Sequence, residues 1–308
     1  MKYKVAIYSG STPSTVFIEN LIKSLSNSSA QVYIFGNESE KSPKKYSHVN
    51  YFLTPKTYFK QKYNFIKIIF FALFIKPKYF YKLLKFYFKN RGEINQSLIS
   101  WLNKVVPVIN NLPDIFHIQW AKSLKFWFFL NELFKTKIIV SLRGAHINYS
   151  PIFDKKLAND YKVFFPRVDY FHAVSNSILK EACNYFDIKD KTKVIYTAFD
   201  MDSFSFKKKD RKFNNSYKFL SVGRFHWKKG YQYSISAVNR LLEEGNNIHY
   251  TIITKGNPSE EILYQIDDLG ISNNIHLKSF YEQDDIYQEI VNSDCLLLPS
   301  VEEGIANV

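Results

Sequence analysis

Short apolar runs alternate along this chain with stretches of helical periodicity, in two successive series. Runs rich in Val, Ile, Phe and Tyr predict buried strands, and apolar residues that recur every three or four positions predict helices that cover them. This order is typical of α/β domains with a doubly wound parallel sheet. In the first series, the predicted strands are 5–8, 31–35, 114–118, 137–142, 170–174 and 193–196, and the predicted helices are 17–25, 124–134 and 175–186.

A second series begins after residues 201–216, a polar and lysine-rich stretch that is typical of a linker. We therefore expect one Rossmann-like domain at residues 1–200 and a second at 217–308. The run at 296–298 predicts a central strand that is buried on both faces. No covering helix follows that run, so we expect the second domain to be incomplete and the chain to be truncated. The predicted strands are 218–222, 248–254, 274–277 and 294–298, and the predicted helices are 230–244, 259–269 and 283–291.

Composition narrows the class of protein. The chain has 308 residues and only two cysteines, which excludes a disulfide scaffold and a cysteine-rich zinc module. Its longest apolar run, at 65–75, has 11 residues and includes Lys67, whereas a membrane-spanning helix needs about 20 residues. The N-terminus lacks the apolar core of a signal peptide. We therefore expect a cytoplasmic protein that is either soluble or peripheral to a membrane.

The positive charge of the chain is concentrated in one segment. Residues 41–92 contain thirteen Lys and Arg, sixteen Phe and Tyr, and no Asp or Glu, in a chain whose net charge is +14. An anionic membrane surface, a partner protein or nucleic acid would each suit this basic segment. Alternatively, residues such as Phe70, Phe71 and Phe74 are core and the lysines are solvated. We favour a membrane surface that contacts the lysines between 76 and 85, and we expect no nucleic acid partner.

A first chemical motif follows the predicted strand 218–222, where that strand leads into a helix. Gly223 lets a ligand approach the backbone, Arg224 offers a rigid fork of donors, and Lys229 offers a positive charge. Two cations at the start of a helix favour a diphosphate site. A solvated basic loop is the alternative interpretation of this motif.

A second motif follows the predicted strand 294–298. Glu303 and the backbone amides of Gly304, Ile305 and Ala306 stand where the next helix should begin. In open α/β sheets, ligands bind at the carboxyl ends of the strands, so these groups are candidates for contact with a ligand. The alternative is an ordinary helix N-terminus with acidic residues in its first turn.

Together, the two motifs resemble the donor-binding half of retaining GT-B glycosyltransferases of family 4, also called glycosyl transferases group 1. The phrases V-G-R…K-G and L-P-S…E-G-I-x-N, about seventy residues apart, carry this resemblance. Segments 114–120, 141–146, 168–175 and 193–204 resemble the family's earlier motifs. The resemblance implies the GT-B fold, in which two Rossmann-like domains face a cleft.

The resemblance also implies roles for particular residues. Arg224 and Lys229 would neutralise the leaving diphosphate without a metal, while Glu303 and the amides of 304–306 would hold the donor sugar. Arg143 and His146 would be catalytic residues on the acceptor side, at positions where many members have His and Asp. The family's second Glu would follow Glu303 by eight residues, beyond residue 308.

We therefore expect a retaining, metal-independent glycosyltransferase with no cofactor other than its nucleotide-sugar substrate. Its acceptor would be a glycan or a lipid-linked molecule, in cell-surface polysaccharide synthesis at the inner face of the plasma membrane. A metal site at Asp200 and Asp202 is disfavoured, because no second cluster of metal ligands accompanies them. The alternative function is a catalytically inactive fragment that binds only a membrane or a partner.

Overall fold

The computed structural model describes residues 3–40, 42–43, 45–197, 216–254, 256–279, 283–303, 306 and 308. The predicted linker, apart from Ser216, and the pair Asp200 and Asp202 lie outside these residues. The chain divides into two compact units, Met1–Met201 and Asp202–Val308.

The first unit is a parallel sheet covered by helices. Its strands are β1 (Lys4–Thr12), β2 (Gln31–Glu38), β3 (Val49–Thr54), β4 (Ile115–Ile118), β5 (Lys137–Leu142), β6 (Tyr170–Ala173) and β7 (Thr192–Val194). Its helices are α1 (Val16–Ser26), α2 (Tyr58–Ile75), α3 (Pro77–Lys89), α4 (Leu98–Asn111), α5 (Leu124–Trp127), α6 (Phe129–Phe134), α7 (Ala145–Asn148), α8 (Ser150–Phe153), α9 (Lys155–Phe164) and α10 (Asn176–Cys183).

The strand order of this sheet confirms the doubly wound prediction. Among the described residues it is β3-β2-β1-β4-β5-β6-β7, and every pairing is parallel. The order reverses beside β1, where Ala6 pairs with Tyr33 of β2 on one side and with Phe116 of β4 on the other. Such a reversal opens a crevice at the carboxyl ends of the two strands that flank it.

The second unit repeats this plan on a smaller scale. Its strands are β8 (Tyr217–Val222), β9 (Ile248–Thr254), β10 (Ile275–Ser279) and β11 (Cys295–Leu296), and its helices are α11 (Tyr231–Glu243), α12 (Glu260–Asp268) and α13 (Gln283–Asn292). Where the structure describes this unit, the parallel order is β10-β9-β8-β11. Ile235, Tyr250 and Ile252 are fully buried between the sheet and its helices.

Three predictions about individual elements were wrong or incomplete. Among the described residues the run at 296–298 is not central, because β11 stands last in the strand order and Leu298 is 47% exposed. The predicted helix 124–134 is two short helices, α5 and α6. Strand β3 was not predicted; it lies inside the basic segment, where lysines obscure the alternation of its apolar residues. No helix in the described part of the chain is long and apolar enough to cross a lipid bilayer.

Helix α2 is held against α4 by hydrogen bonds between polar side chains as well as by apolar packing. The buried Asn103 of α4 accepts a hydrogen bond from Asn64 Nδ2 (2.8 Å) and donates to the backbone oxygens of Gln61 (3.0 Å) and Ile99 (2.9 Å). Ser100 Oγ donates to Gln61 Oε1 at 2.7 Å. These bonds fix which face of α2 points inward.

Replacing Asn103 with leucine should therefore destabilise the first unit. Asn103→Leu leaves the Asn64 amide without its acceptor and removes a second hydrogen bond from each of two helical carbonyl oxygens, which costs about 1–3 kcal/mol. The measurement is urea unfolding followed by tryptophan fluorescence, since three of the four tryptophans, Trp101, Trp120 and Trp127, lie in this unit. The exposed Asn184→Leu is the matched control; equal unfolding midpoints for the two variants would contradict the role assigned to Asn103.

Two histidines, on the strands that flank β5, share the buried Ser141 of β5. His172 Nε2 lies 2.9 Å from the Ile195 carbonyl oxygen, so this nitrogen donates. His172 Nδ1 then accepts from Ser141 Oγ (3.0 Å), which in turn accepts from His117 Nε2 (2.9 Å). Burial lowers the pKa of His117 to about 3, helped by His172 and Arg143, and burial also lowers the pKa of His172. Both rings are therefore neutral at neutral pH.

This network predicts a loss of stability below neutral pH. Between pH 6.5 and about 3 the unfolded chain binds a proton at His117 that the folded chain does not, so stability falls as the pH falls through this window. His117→Gln should reduce the difference in unfolding free energy between pH 7 and pH 5 by about 1–2 kcal/mol. Urea unfolding at the two pH values measures this difference. The exposed His48→Asn should leave it unchanged, and an equal pH dependence in wild type and His117→Gln would contradict the prediction.

Candidate functional site

The first candidate cluster lies at the carboxyl edge of the first unit's sheet. Arg143 follows β5, Gln119 and Trp120 follow β4, and Phe17 stands in the first turn of α1. Because β1, β4 and β5 are parallel neighbours, the residues after them meet at one edge. His146, in the short helix α7, belongs to the same edge.

Arg143 is a half-buried cation, and the described residues supply it with no acidic partner. Its Nη2 donates to Gln119 Oε1 at 3.2 Å, and its guanidinium carbon lies 4.3 Å from the centre of the Phe17 ring. Burial lowers the pKa of Arg143 to about 10, which still leaves it charged at neutral pH. An uncompensated buried charge is costly, so this arrangement favours a ligand that supplies negative charge or oxygen acceptors.

His146 reaches the cluster through an aromatic contact. Its ring lies 5.1 Å from that of Trp120, centre to centre, and Trp120 Nε1 donates to the Ser9 carbonyl oxygen at 2.8 Å. Burial and then Lys122 lower the pKa of His146 to about 4, so the ring is neutral at pH 7 and is a weak base there. It can orient a ligand by hydrogen bonding.

Three buried nitrogens of this cluster have no hydrogen-bond partner among the described residues: Gln119 Nε2, Arg143 Nε and His146 Nδ1. Buried polar groups are normally paired, so a set of three at one sheet edge points to a ligand site. The structure thus brings together the two residues predicted for the acceptor side. Sequence reasoning missed Gln119, Trp120 and Phe17 as parts of the site; the turn after β4 was the available signal.

The second candidate cluster is formed where the two chemical motifs touch each other. Gly230 has a φ of +63°, and a Cβ built on it would lie 2.2 Å from the Pro299 carbonyl oxygen. The Val301 amide donates to the Lys228 carbonyl oxygen at 2.8 Å. Only glycine allows so close an approach, and it brings the turn before α11 against the turn after β11.

Lys229 and Glu303, both predicted to bind the donor, form an ion pair in this cluster. Ser300 Oγ also donates to Glu303 Oε1, at 3.2 Å. The adjacent Lys228 and Glu302 form a parallel pair at 3.5 Å. The two motifs are therefore joined by charge as well as by backbone contact.

Gly223 lies directly beneath the Lys229 side chain. A Cβ at this position would lie 2.8 Å from the Tyr231 hydroxyl and 3.2 Å from Lys229 Cε. The Tyr231 hydroxyl is buried and has no hydrogen-bond partner within the described part of the chain. Burial raises the pKa of Tyr231, with further contributions from Tyr250 and Glu303. Sequence reasoning missed Tyr231, because an aromatic residue at the start of a helix is expected to belong to the core.

The other predicted donor residues are Arg224, Gly304, Ile305 and Ala306. Arg224 is exposed and forms no ion pair with any described residue. Gly304 and Ile305 lie outside the described residues, and Ala306 is half-buried. Their roles stay predictions.

Buried hydroxyls hold the second cluster in place from below. Tyr250 of β9 donates to Ser221 Oγ at 2.7 Å, and Ser221 Oγ donates to the Leu297 carbonyl oxygen at 2.7 Å. Ser234 of α11 lies 2.8 Å from the Tyr250 hydroxyl. These bonds connect β9, β8, α11 and the residue after β11, so the turns above them share a fixed base.

A cavity of about 460 Å³ elsewhere in the second unit does not coincide with this cluster. It lies between the end of β10 and α13. Two of its lining residues, Lys278 and Glu289, form an ion pair in which Nζ and Oε1 are 2.7 Å apart. None of the predicted donor residues lines it, so the motif contacts locate the candidate site better than the cavity does. The described residues contain no group of three or more His, Cys, Asp and Glu side chains that could hold a metal ion.

Residues 202–308 match the family model described as glycosyl transferases group 1. A curated relative, an uncharacterized glycosyltransferase of Methanocaldococcus jannaschii, is 26% identical over 192 residues, which cover 58% of this chain and 47% of the relative. The amylovoran biosynthesis glycosyltransferase AmsK of Erwinia amylovora is 24% identical over 198 residues, covering 61% of this chain and 46% of that protein. This chain thus spans about half the length of these relatives.

A solved structure has a similar fold. The crystal structure of HepE from Anabaena in complex with UDP-glucose superposes with a TM-score of 0.64 at 14% identity, covering 97% of this chain and 74% of that one. The likeness shows a GT-B fold built from Rossmann-like units. Residues 202–308 are thus similar to glycosyl transferases group 1, and the curated relatives that match this chain are themselves named glycosyltransferases.

Proposed function

We propose that this protein transfers a sugar from a nucleotide sugar to a glycan or lipid-linked acceptor, with retention of the anomeric configuration and without a metal ion. The contact between the two motifs carries this proposal, because it gathers Gly223, Lys229 and Glu303 at the carboxyl edge of one sheet. The family match over residues 202–308 and the UDP-glucose bound to HepE support a nucleotide-sugar donor.

In this proposal the donor diphosphate replaces Glu303 as the ionic partner of Lys229. Lys229 is paired with Glu303, and a diphosphate brings more negative charge than one carboxylate does. Once Lys229 turns to the diphosphate, Glu303 is released to accept hydrogen bonds from sugar hydroxyls. Lys229 and Arg224 then stabilise the charge that develops on the leaving group, as a metal does in other transferases.

The acceptor side is proposed for the cluster of the first unit. Arg143 and Gln119 present nitrogen donors, and the neutral ring of His146 is suited to orienting a hydroxyl group. An acceptor that carries oxygen atoms or negative charge would satisfy these groups. A role in cell-surface polysaccharide synthesis, at the inner face of the plasma membrane, draws support from the amylovoran relative and from the basic segment.

The donor assignment predicts selective losses of nucleotide binding. Hydrogen bonds to charged groups contribute about 1.5–3 kcal/mol each, so Lys229→Ala and Arg224→Ala should each weaken UDP-glucose binding about tenfold or more. Isothermal titration calorimetry with UDP-glucose and with UDP measures these affinities. Lys218→Ala is the matched control, because it removes an exposed lysine from the opposite end of β8.

Two outcomes would count against the proposal. Unchanged UDP-glucose affinity in both variants, with wild-type binding intact, would show that the donor site lies elsewhere. A folded wild-type protein that binds neither UDP-glucose nor UDP nor other nucleotide sugars would favour the non-catalytic alternative.

A further inference from the structure

Helix α2 turns two polar side chains inward and several large apolar side chains outward. Its inward side chains Gln61 and Asn64 hydrogen bond to α4, and Ile68 is buried beside them. Its outward side chains Phe59, Tyr63 and Ile66 are 83%, 64% and 68% exposed. Large apolar residues on the outward face are not expected for a helix that only covers a water-soluble core.

The outward residues form one continuous stripe. Phe59, Tyr63 and Ile66 are spaced by four and three residues, which places them on one face of a helix with 3.6 residues per turn. Phe70, which is 66% exposed, follows the same spacing one turn later. Exposed apolar patches of this kind mark surfaces that bind a partner or a membrane.

Lysines stand on both sides of this stripe. Lys62 Nζ lies 4.9 Å from the centre of the Tyr58 ring, and Lys67 Nζ lies 4.9 Å from that of Tyr63. The next helix, α3, buries Phe80, Leu83 and Tyr87 but exposes its lysines and two of its aromatic residues. The exposed lysines and aromatic residues of α3 are Lys78, Tyr81, Lys82, Lys85, Phe88 and Lys89.

One lysine expected to contact the membrane surface has a structural role. Lys76 Nζ donates to the carbonyl oxygens of Ile109 (3.1 Å) and Asn110 (3.0 Å) in the last turn of α4. Burial, and then Lys4, lower the pKa of Lys76. Lys76 therefore anchors the corner between α2 and α3, and the surface charges come from the other lysines.

We propose that the outward stripe of α2 inserts into the surface of an anionic lipid bilayer, with the helix lying in the plane of the interface. Phe59, Tyr63 and Ile66 would enter the boundary between headgroups and acyl chains, and Lys62 and Lys67 would bind anionic headgroups. The absence of acidic residues from 41–92 makes the whole segment complementary to such a surface. This proposal stands independently of the donor site.

Other occupants suit these observations less well. Nucleic acid would stack on aromatic rings, but Ile66, in the middle of the stripe, has no aromatic face to offer. The cores of protein interfaces are depleted in lysine. A second copy of this chain would bring a second set of lysines against the first, with no acidic residue in the segment to pair with them.

Vesicle co-sedimentation of the full chain tests the proposal. Wild type should bind vesicles of phosphatidylcholine with phosphatidylglycerol, bind pure phosphatidylcholine weakly, and be released at high salt. The triple variant Phe59→Ser, Tyr63→Ser, Ile66→Ser should lose about tenfold or more in partition coefficient. The double variant Lys62→Gln, Lys67→Gln should lose about fivefold for each lysine removed.

Matched controls separate the stripe from general surface properties. Leu263→Ser with Tyr264→Ser removes comparably exposed apolar residues from α12, and Lys137→Gln with Lys193→Gln removes two exposed lysines from strands of the first unit. Both should bind anionic vesicles as wild type does. All variants touch exposed side chains, so circular dichroism melting curves should coincide with that of wild type.

Three results would overturn the proposal. The first is wild type that stays in the supernatant with anionic vesicles at low salt. The second is a folded triple variant that sediments as strongly as wild type. The third is light scattering that shows a wild-type dimer and a monomeric triple variant, with no vesicle binding by either, which would assign the stripe to a second copy of the chain.

Discussion

Both candidate clusters depend on parallel strand pairing. A parallel sheet places the carboxyl ends of neighbouring strands on one edge. Residues far apart in sequence therefore meet there, although no local sequence pattern predicts their contact. Arg143 and Gln119, 24 residues apart, meet because β4 and β5 are neighbours. Lys229 and Glu303, 74 residues apart, meet because β8 pairs with β11. The chemistry of each cluster therefore follows from strand order.

In the second cluster, the close approach of two backbone turns is what allows the ion pair to form. Gly230 permits the turn after β11 to approach, and that approach lets Lys229 reach Glu303. A side chain at position 230 would separate the two turns before it affected any ligand. The second glycine of the V-G-R…K-G phrase is thus explained by contact within the unit, whereas Gly223 keeps space open beside Lys229.

Much of the architecture could be predicted from the sequence, because buried parallel strands and amphipathic helices leave clear periodic signals. Strand β9 and helix α11 lie within a residue of their predicted bounds. Periodicity does not show which face of a helix turns inward when both faces carry large side chains. The aromatic residues of the basic segment were therefore compatible with either core or surface positions. The hydrogen bonds of Asn103 to Gln61 and Asn64 show which face of α2 turns inward. The unpaired nitrogens around Arg143 were equally hidden, since they arise from packing between distant segments.

The distribution of tryptophans gives each unit its own optical reporter. Trp101 and Trp127 are buried in the first unit, whereas Trp227, the only tryptophan at residues 202–308, is half exposed in the turn that carries Lys229. Lys228 Nζ lies 5.8 Å from the centre of the Trp227 ring. Indole emission shifts with solvent contact and nearby charge, so buried and exposed tryptophans emit at different wavelengths. Rearrangement of charges around Lys229 should therefore change the long-wavelength part of the unlabelled emission spectrum. Unfolding of the first unit should reduce its short-wavelength part, which Trp101 and Trp127 supply.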